Sequence, residues 1–135
     1  MKPNLLSGVQ PSGRLHIGNY LGALKNFVEL QNTNHYNCRF FIADLHSLTE
    51  GFEPTQQKHN ILELYASFLA IGLDPKRSVI FVQSHIPAHS ELAWILNTIA
   101  PMGELRRMTQ FKEKSKEFGE NVGLFTYPVL MAADI

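Results

Sequence analysis

Three short apolar runs, each separated from the next by a stretch of helix length, restrict the folds open to this chain. Residues 4–7 (NLLS) are a brief apolar run ended by Gly8, the pattern of a short buried strand. Residues 39–43 (RFFIA), followed by Asp44, are compact and aromatic, which suits a strand buried on both faces. Residues 78–83 (SVIFVQ) are β-branched and unbroken, the clearest strand of the three. Between these runs, residues 18–31 put Tyr20, Ala23, Phe27 and Leu30 on one helical face, with Leu24 beside them. Residues 55–71 align Ile61, Leu64, Tyr65 and Phe68, and Gly72 with Pro75 supplies the stop. Strands joined by helical crossovers lie parallel, with right-handed connections. The expected fold is therefore α/β, one half of a Rossmann-like, doubly wound parallel sheet. Further helices are expected over 89–99 and 103–117, and a last one from about Pro128.

That order makes a geometric point. In such sheets ligands sit beyond the carboxyl ends of the strands. The segments there are GVQPSGRLHIGN, DLHS and QSHIPAHS, and the non-repetitive polar chemistry of the chain gathers in them. The length, 135 residues, suits one domain. The 12 basic and 12 acidic residues cancel, so no global field announces nucleic acid, although a local basic patch stays compatible. A single cysteine, Cys38, excludes an internal disulfide and fits a reducing cytosol. No stretch approaches the roughly 20 apolar residues of a membrane span. The start, MKPNLL, lacks the pattern of a signal peptide. The sequence stops inside an apolar helix-forming run, YPVLMAADI, which reads as a fragment cut short at its C-terminus.

The stretch GVQPSGRLHIGNYLG opens the first helical segment. Gly13 and Gly18 allow positive φ or a close backbone approach. Free amides at a helix start attract phosphate, and His16 and Asn19 add donors within a turn of it. Gly18 and Gly22 would also let the helix lie tight on the sheet. An ordinary glycine-rich turn capped by Asn19 explains the same residues. Neither the G-x-G-x-x-G fingerprint nor the GK[ST] of a P-loop is present.

PSGRLHIGNYLGAL resembles the HIGH-type signature of class I aminoacyl-tRNA synthetases. GVQPSG-x-x-HIGN, with MTQFKEKS at 108–115 and TYP-x-LMAADI at the end, resembles the bacterial tryptophan-specific members. The resemblance implies ATP-dependent activation of L-tryptophan to tryptophanyl-adenylate, with ATP entering as its Mg2+ complex, and then transfer to tRNA(Trp). It implies an ATP site drawing on Gln10, Pro11, Ser12, Gly18 and Asn19. It gives catalytic roles to His16, Asn19 and Lys114, the last in a mobile loop reaching the phosphates. Many members carry threonine at the position of His16, so a hydroxyl can serve there. The carboxylate nucleophile is already ionised, so alignment and charge stabilisation suffice without a general base. The implied tryptophan pocket uses Asp134 as acceptor for the indole N–H, Leu6, His46 and Met131 as walls, and Tyr127 near the amino group. Indole nitrogen only donates, so a buried acceptor suits it, and rejection of phenylalanine follows from leaving that acceptor unpaired. Leu6 stands where phenylalanine is expected, without a ring to stack. Apart from the resemblance, a surface helix carboxylate is the plain alternative for Asp134, since Asp is mostly exposed.

The resemblance also implies that residues 1–135 are the N-terminal part of the catalytic domain, with a helical insertion at about 86–125. The KMSKS segment and the anticodon-binding domain would lie beyond it. A cytoplasmic homodimer is implied, with the apolar 92–108 region in the contact. Residues 106–116 hold Arg106, Arg107, Lys112, Lys114 and Lys116 against Glu113. A solvated helix face, an ATP-phosphate site and a tRNA contact all fit that cluster. His85 and His89 are four apart, but Pro87 opposes a helix between them, and no third ligand of the right type is near, so no metal site is expected. Cys38 reads as a buried thiol, and Trp94 with Leu92, Ile95 and Ile99 as core or subunit interface. Alternatives are a tyrosyl-tRNA synthetase, another nucleotidyltransferase of the HIGH superfamily, and a non-catalytic interaction module that kept the fold.

Overall fold

The apolar runs pair into one parallel sheet. The computed structural model describes residues 1–13, 15–51 and 53–135. Strands β1 (Asn4–Val9), β2 (Asn37–Ile42) and β3 (Val79–Val82) lie in the order β1-β2-β3. Gly8, Phe41 and Phe81 share one register line across the sheet. The expected first strand ended before Gly8, yet β1 runs through it. A Cβ on Gly8 would lie 2.6 Å from the Phe41 ring, and that ring stacks on Phe81 at 5.5 Å. Glycine here makes room for an aromatic neighbour within the strand; it does not end it.

The first helical segment is continuous but not uniform. It comprises α1 (Ile17–Asn19), a π-turn (Tyr20–Leu24) and α2 (Lys25–Thr33). The Lys25 N–H bonds the Tyr20 carbonyl, the five-residue step of a π-turn. An extra residue in a turn rotates the upstream face by about 100°. Leu24 and Phe27 are therefore buried while Tyr20, expected on the same stripe, is exposed. Helix α4 (Pro54–Ala70) starts at Glu53, whose carboxylate accepts from the Gln56 N–H at 3.0 Å, and has Pro54 in its first turn. It stops before Gly72, which takes φ +105°. Leu64 and Phe68 face inward, and Tyr65 stays partly in solvent.

These elements close over a core of Leu24, Phe27, Cys38, Phe40, Ile42, Leu64, Phe68 and Leu73. Phe27 stacks on Phe40 with centroids 4.4 Å apart, and Phe68 meets Phe27 edge-on. One buried polar group organises the rim. Gln31 donates to the Gly72 carbonyl at 3.1 Å and accepts from the Asp74 N–H at 2.8 Å and the Ser78 hydroxyl at 3.0 Å. The loop that leads into β3 is thus tied to the end of α2.

The chain divides into two compact units, Met1–Asp44 with Glu53–Gln83, and Leu45–Phe52 with Ser84–Ile135. Within the second, α5 (Pro87–Asn97) packs along α8 (Val122–Asp134), joined by α6 (Met102–Leu105), α7 (Thr109–Phe118) and a 3-10 turn (Leu48–Glu50). Three expectations change. The helix read over 89–99 starts two residues earlier, because Pro87 occupies the first turn, where its missing N–H costs nothing. The helix read over 103–117 is two helices, broken before Thr109 by extended backbone at Met108. The last helix starts at Val122, well before Pro128. Asn121 caps it, its side chain accepting from Leu124 N–H at 2.7 Å, and Pro128 lies in its interior. Trp94, Ile95 and Ile99 are exposed, so they lie on the surface and not in a core. No helix among the described residues is long and apolar enough to cross a membrane.

Candidate active site

In the first unit, β1 runs into Gln10, the buried Pro11, the exposed Ser12 and Gly13, which takes φ +118°. The helix then begins at His16, not at Asn19. The Gly18 N–H donates to His16 Nδ1 at 3.1 Å, and the His16 N–H donates to Asn19 Oδ1 at 3.0 Å, a reciprocal capping box. An imidazole nitrogen that accepts carries no proton, so the His16 proton sits on Nε2. The cap therefore fixes the tautomer that leaves Nε2–H as a donor at this exposed turn, alongside the Asn19 amide. Gly18 is required by the same arrangement, since a Cβ there would lie 2.9 Å from the imidazole. The expected role of Gly18 and Gly22 in tight packing on the sheet does not hold. The crowding at Gly18 comes from His16, and nothing lies within 4 Å of a Cβ on Gly22.

The second unit holds a buried carboxylate. Asp134 is 8% exposed, and two histidines from different elements converge on it. His46 Nε2, from α3 (Asp44–Ser47), lies 2.9 Å from Oδ2, and His89 Nδ1, from the first turn of α5, lies 3.0 Å from Oδ1. The His46 contact is a hydrogen bond, whereas His89 Nδ1 comes close to Oδ1 without hydrogen-bond geometry. Tyr127, Met131 and Asp134 follow at helical spacing on α8. The Tyr127 ring meets His46 edge-on at 6.5 Å, and burial pushes its hydroxyl pKa up. Met131 is half exposed, and Leu6 lies partly buried in β1. Among the sequence-predicted residues, the structure thus gathers His46, Tyr127 and Asp134. Sequence reasoning missed His89 because it weighed this side chain only as a metal ligand beside His85. The usable signal was the Pro-Ala-His order, which puts a histidine in the first turn of a helix that packs on the carboxylate's own helix. Among the described residues no group of three or more His, Cys, Asp or Glu is arranged to hold a metal ion.

Lys114 was implied to lie in a mobile loop. It sits within α7, and its ammonium pairs with Glu50. Helical spacing splits the basic cluster by face. Arg107 pairs with Glu104, while Arg106, Lys112 and Lys116 line a cavity of about 990 Å³ with Met102, Phe111 and Phe125.

The family model of tRNA synthetases class I (W and Y) matches residues 1–135. A tryptophan–tRNA ligase of Caldanaerobacter subterraneus subsp. tengcongensis is 60% identical over 132 residues, covering 97% of this chain and 40% of that protein. One of Clostridium tetani is 54% identical, over 99% of this chain and 40% of its own length. Among solved structures, the Campylobacter jejuni tryptophanyl-tRNA synthetase complexed with ADP and tryptophan superposes with a TM-score of 0.87 at 45% identity, over 96% of this chain and 40% of that one. A tyrosyl-tRNA synthetase of Archaeoglobus fulgidus, at 21% identity and TM-score 0.82, shares the fold. The chain spans about 40% of the length of the curated relatives it matches. The parallel sheet with its helical crossovers is the Rossmann-like fold of these enzymes, and this chain belongs to the class I tRNA synthetases specific for tryptophan and tyrosine.

Proposed function

We propose that this chain is the N-terminal part of the catalytic domain of a cytoplasmic tryptophan–tRNA ligase. The ligase joins L-tryptophan to ATP, releasing pyrophosphate, and passes the activated tryptophan to tRNA(Trp). The observation that carries the reading is the Asp134 carboxylate, buried, hydrogen-bonded with His46 and closely approached by His89. A carboxylate only accepts, at up to about four positions. It suits an indole N–H, which only donates, and not a phenylalanine ring, which offers it no donor. His46, Tyr127 and Met131 complete the tryptophan contacts of this unit. The identity with tryptophan–tRNA ligases and the ADP and tryptophan bound by the Campylobacter neighbour support the same assignment.

ATP enters as its magnesium complex, the cation belonging to the substrate. Gln10, Pro11, Ser12, Gly18 and Asn19 contact it, and His16 Nε2–H and the Asn19 amide donate to its phosphates. Lys114 adds a positive charge to the phosphates once its pair with Glu50 opens. The tryptophan carboxylate attacks the α-phosphorus, a P–O bond forms, and the bond to the β-phosphate oxygen breaks as pyrophosphate leaves. The helical segment at about 86–125 is an insertion in this domain, and its exposed Trp94, Ile95 and Ile99 form part of a homodimer contact. The KMSKS lysines and the anticodon-binding domain belong to the rest of the ligase.

Amino-acid-dependent exchange of pyrophosphate into ATP by the full-length protein tests this reading. Exchange with tryptophan alone is the expected result. Exchange with tyrosine would assign the sister enzyme instead, and none with any amino acid would leave a non-catalytic module.

A further inference from the structure

Lys114 and Glu50 form an ion pair within the second unit, one partner on α7 and the other on the 3-10 turn. The turn is held from two sides. The Asn121 side-chain amide donates to the Thr49 carbonyl at 3.2 Å, and the Thr49 hydroxyl donates to the His46 carbonyl at 2.9 Å. Glu50 is therefore presented from a fixed backbone, with 17% of its side chain exposed. Lys114 is held differently. Its side chain is 30% exposed, and its charge sits on a flexible four-carbon stem. Helix α7 has a second attachment on the same face, since Phe111, one turn before Lys114, meets Phe125 edge-on at 5.2 Å. Opening the pair thus asks for a new Lys114 rotamer, not for a new position of the helix. An ion pair with this much access to water contributes little to stability. One carboxylate also carries a single charge where a triphosphate carries several, so a polyphosphate can take Lys114 from Glu50.

We propose that Glu50 is a latch on Lys114: in the free enzyme it holds the ammonium in a resting pair, and ATP gains Lys114 only by opening that pair. This rests on the reading of Lys114 given above. Glu50 touches no substrate. It is a positioning residue that acts through Lys114, and it favours the resting state over the bound one. The closed pair belongs to the free enzyme, so its effect appears in kcat/KM for ATP. A site open about one third of the time shows about one third of its intrinsic affinity.

Pyrophosphate exchange by the full-length ligase, with ATP varied at saturating tryptophan, tests the latch. Glu50→Gln keeps the shape of the side chain and removes its charge. It is expected to raise kcat/KM for ATP about threefold or more, and to change KM for tryptophan less than about twofold. Lys114→Met is expected to lower kcat/KM for ATP about tenfold or more, the range of a hydrogen bond to a charged group. Adding Glu50→Gln to Lys114→Met is expected to change that value less than about twofold, because the latch has nothing left to hold. A fall, or no change, in kcat/KM with Glu50→Gln alone overturns the proposal. An equal rise in both backgrounds would mean that losing any negative charge favours ATP, and overturns it as well. If Glu50→Gln does not fold, Glu50→Asp, one methylene shorter, decides alone, and a kcat/KM no higher than that of the wild type overturns the proposal. A Lys114→Met protein as active as the wild type would overturn the role of Lys114 itself. That outcome is distinct from failure of the latch, in which Lys114→Met loses activity and Glu50→Gln gains none.

Discussion

At the scale of single residues, the sequence names chemistry that only neighbours can interpret. Gly8 reads as a strand terminator until the Phe41 ring is seen to lie over it. Gly8→Ala should therefore destabilise the protein by about 1–3 kcal/mol, the usual cost of overfilling a packed site, measured by urea unfolding. An unchanged midpoint would mean that Phe41 moves aside freely. Cys38 behaves as its apolar surroundings suggest. Burial pushes its thiol pKa above the ordinary value, with the Lys2 charge opposing. A raised pKa means that the folded protein holds the proton more tightly than the unfolded chain. The associated stability is complete below the unfolded thiol pKa and is lost as pH rises through the folded value. Melting temperature should thus fall more steeply above about pH 8.5, the ordinary thiol pKa, in the native protein than in Cys38→Ala; parallel curves would refute it.

Elements were legible where pattern and propensity agree, and misread where one residue could serve two ends. The stripe of Leu64 and Phe68 and the stop at Gly72 placed α4 almost to the residue. Pro128 misled because proline favours helix starts, while the actual start is fixed by the Asn121 cap seven residues earlier. The π-turn after α1 left no mark in periodicity, so Tyr20 was assigned to the wrong face. Gln31 illustrates a tie between elements that no spacing reveals. Replacing it by leucine leaves the Gly72 carbonyl, the Asp74 N–H and the Ser78 hydroxyl without that partner. Gln31→Leu should cost roughly 1–3 kcal/mol or more, since each buried group left unsatisfied carries a penalty of that order. Chemical denaturation measures it, and faster amide exchange at Asp74 should accompany the loss.

For the whole molecule, the chain matches its family along all 135 residues yet spans about 40% of its relatives. Phosphoryl chemistry of the proposed kind depends on several charge-stabilising groups acting together, and removing one such donor typically costs about 100- to 1,000-fold. The 135-residue chain by itself should therefore adenylate tryptophan at least about 100-fold more slowly than the full-length ligase. Single-turnover assays with labelled ATP measure the difference, and comparable rates would contradict it.

The sequence by itself determined the alternation of strand and helix, the parallel sheet, and the identity of the motif residues. Each of these follows from local apolar spacing and from side-chain chemistry that travels with the residue. Tertiary structure decided what those residues do to one another. The proton on His16 Nε2 follows from a cap closed by Gly18 and Asn19. Asp134, for which a surface carboxylate was the plain alternative, is buried where His46 and His89, distant in sequence, close on its two oxygens. Local patterns record the face a residue turns inward; the partner that meets it there comes from elsewhere in the chain, and spacing carries no record of it.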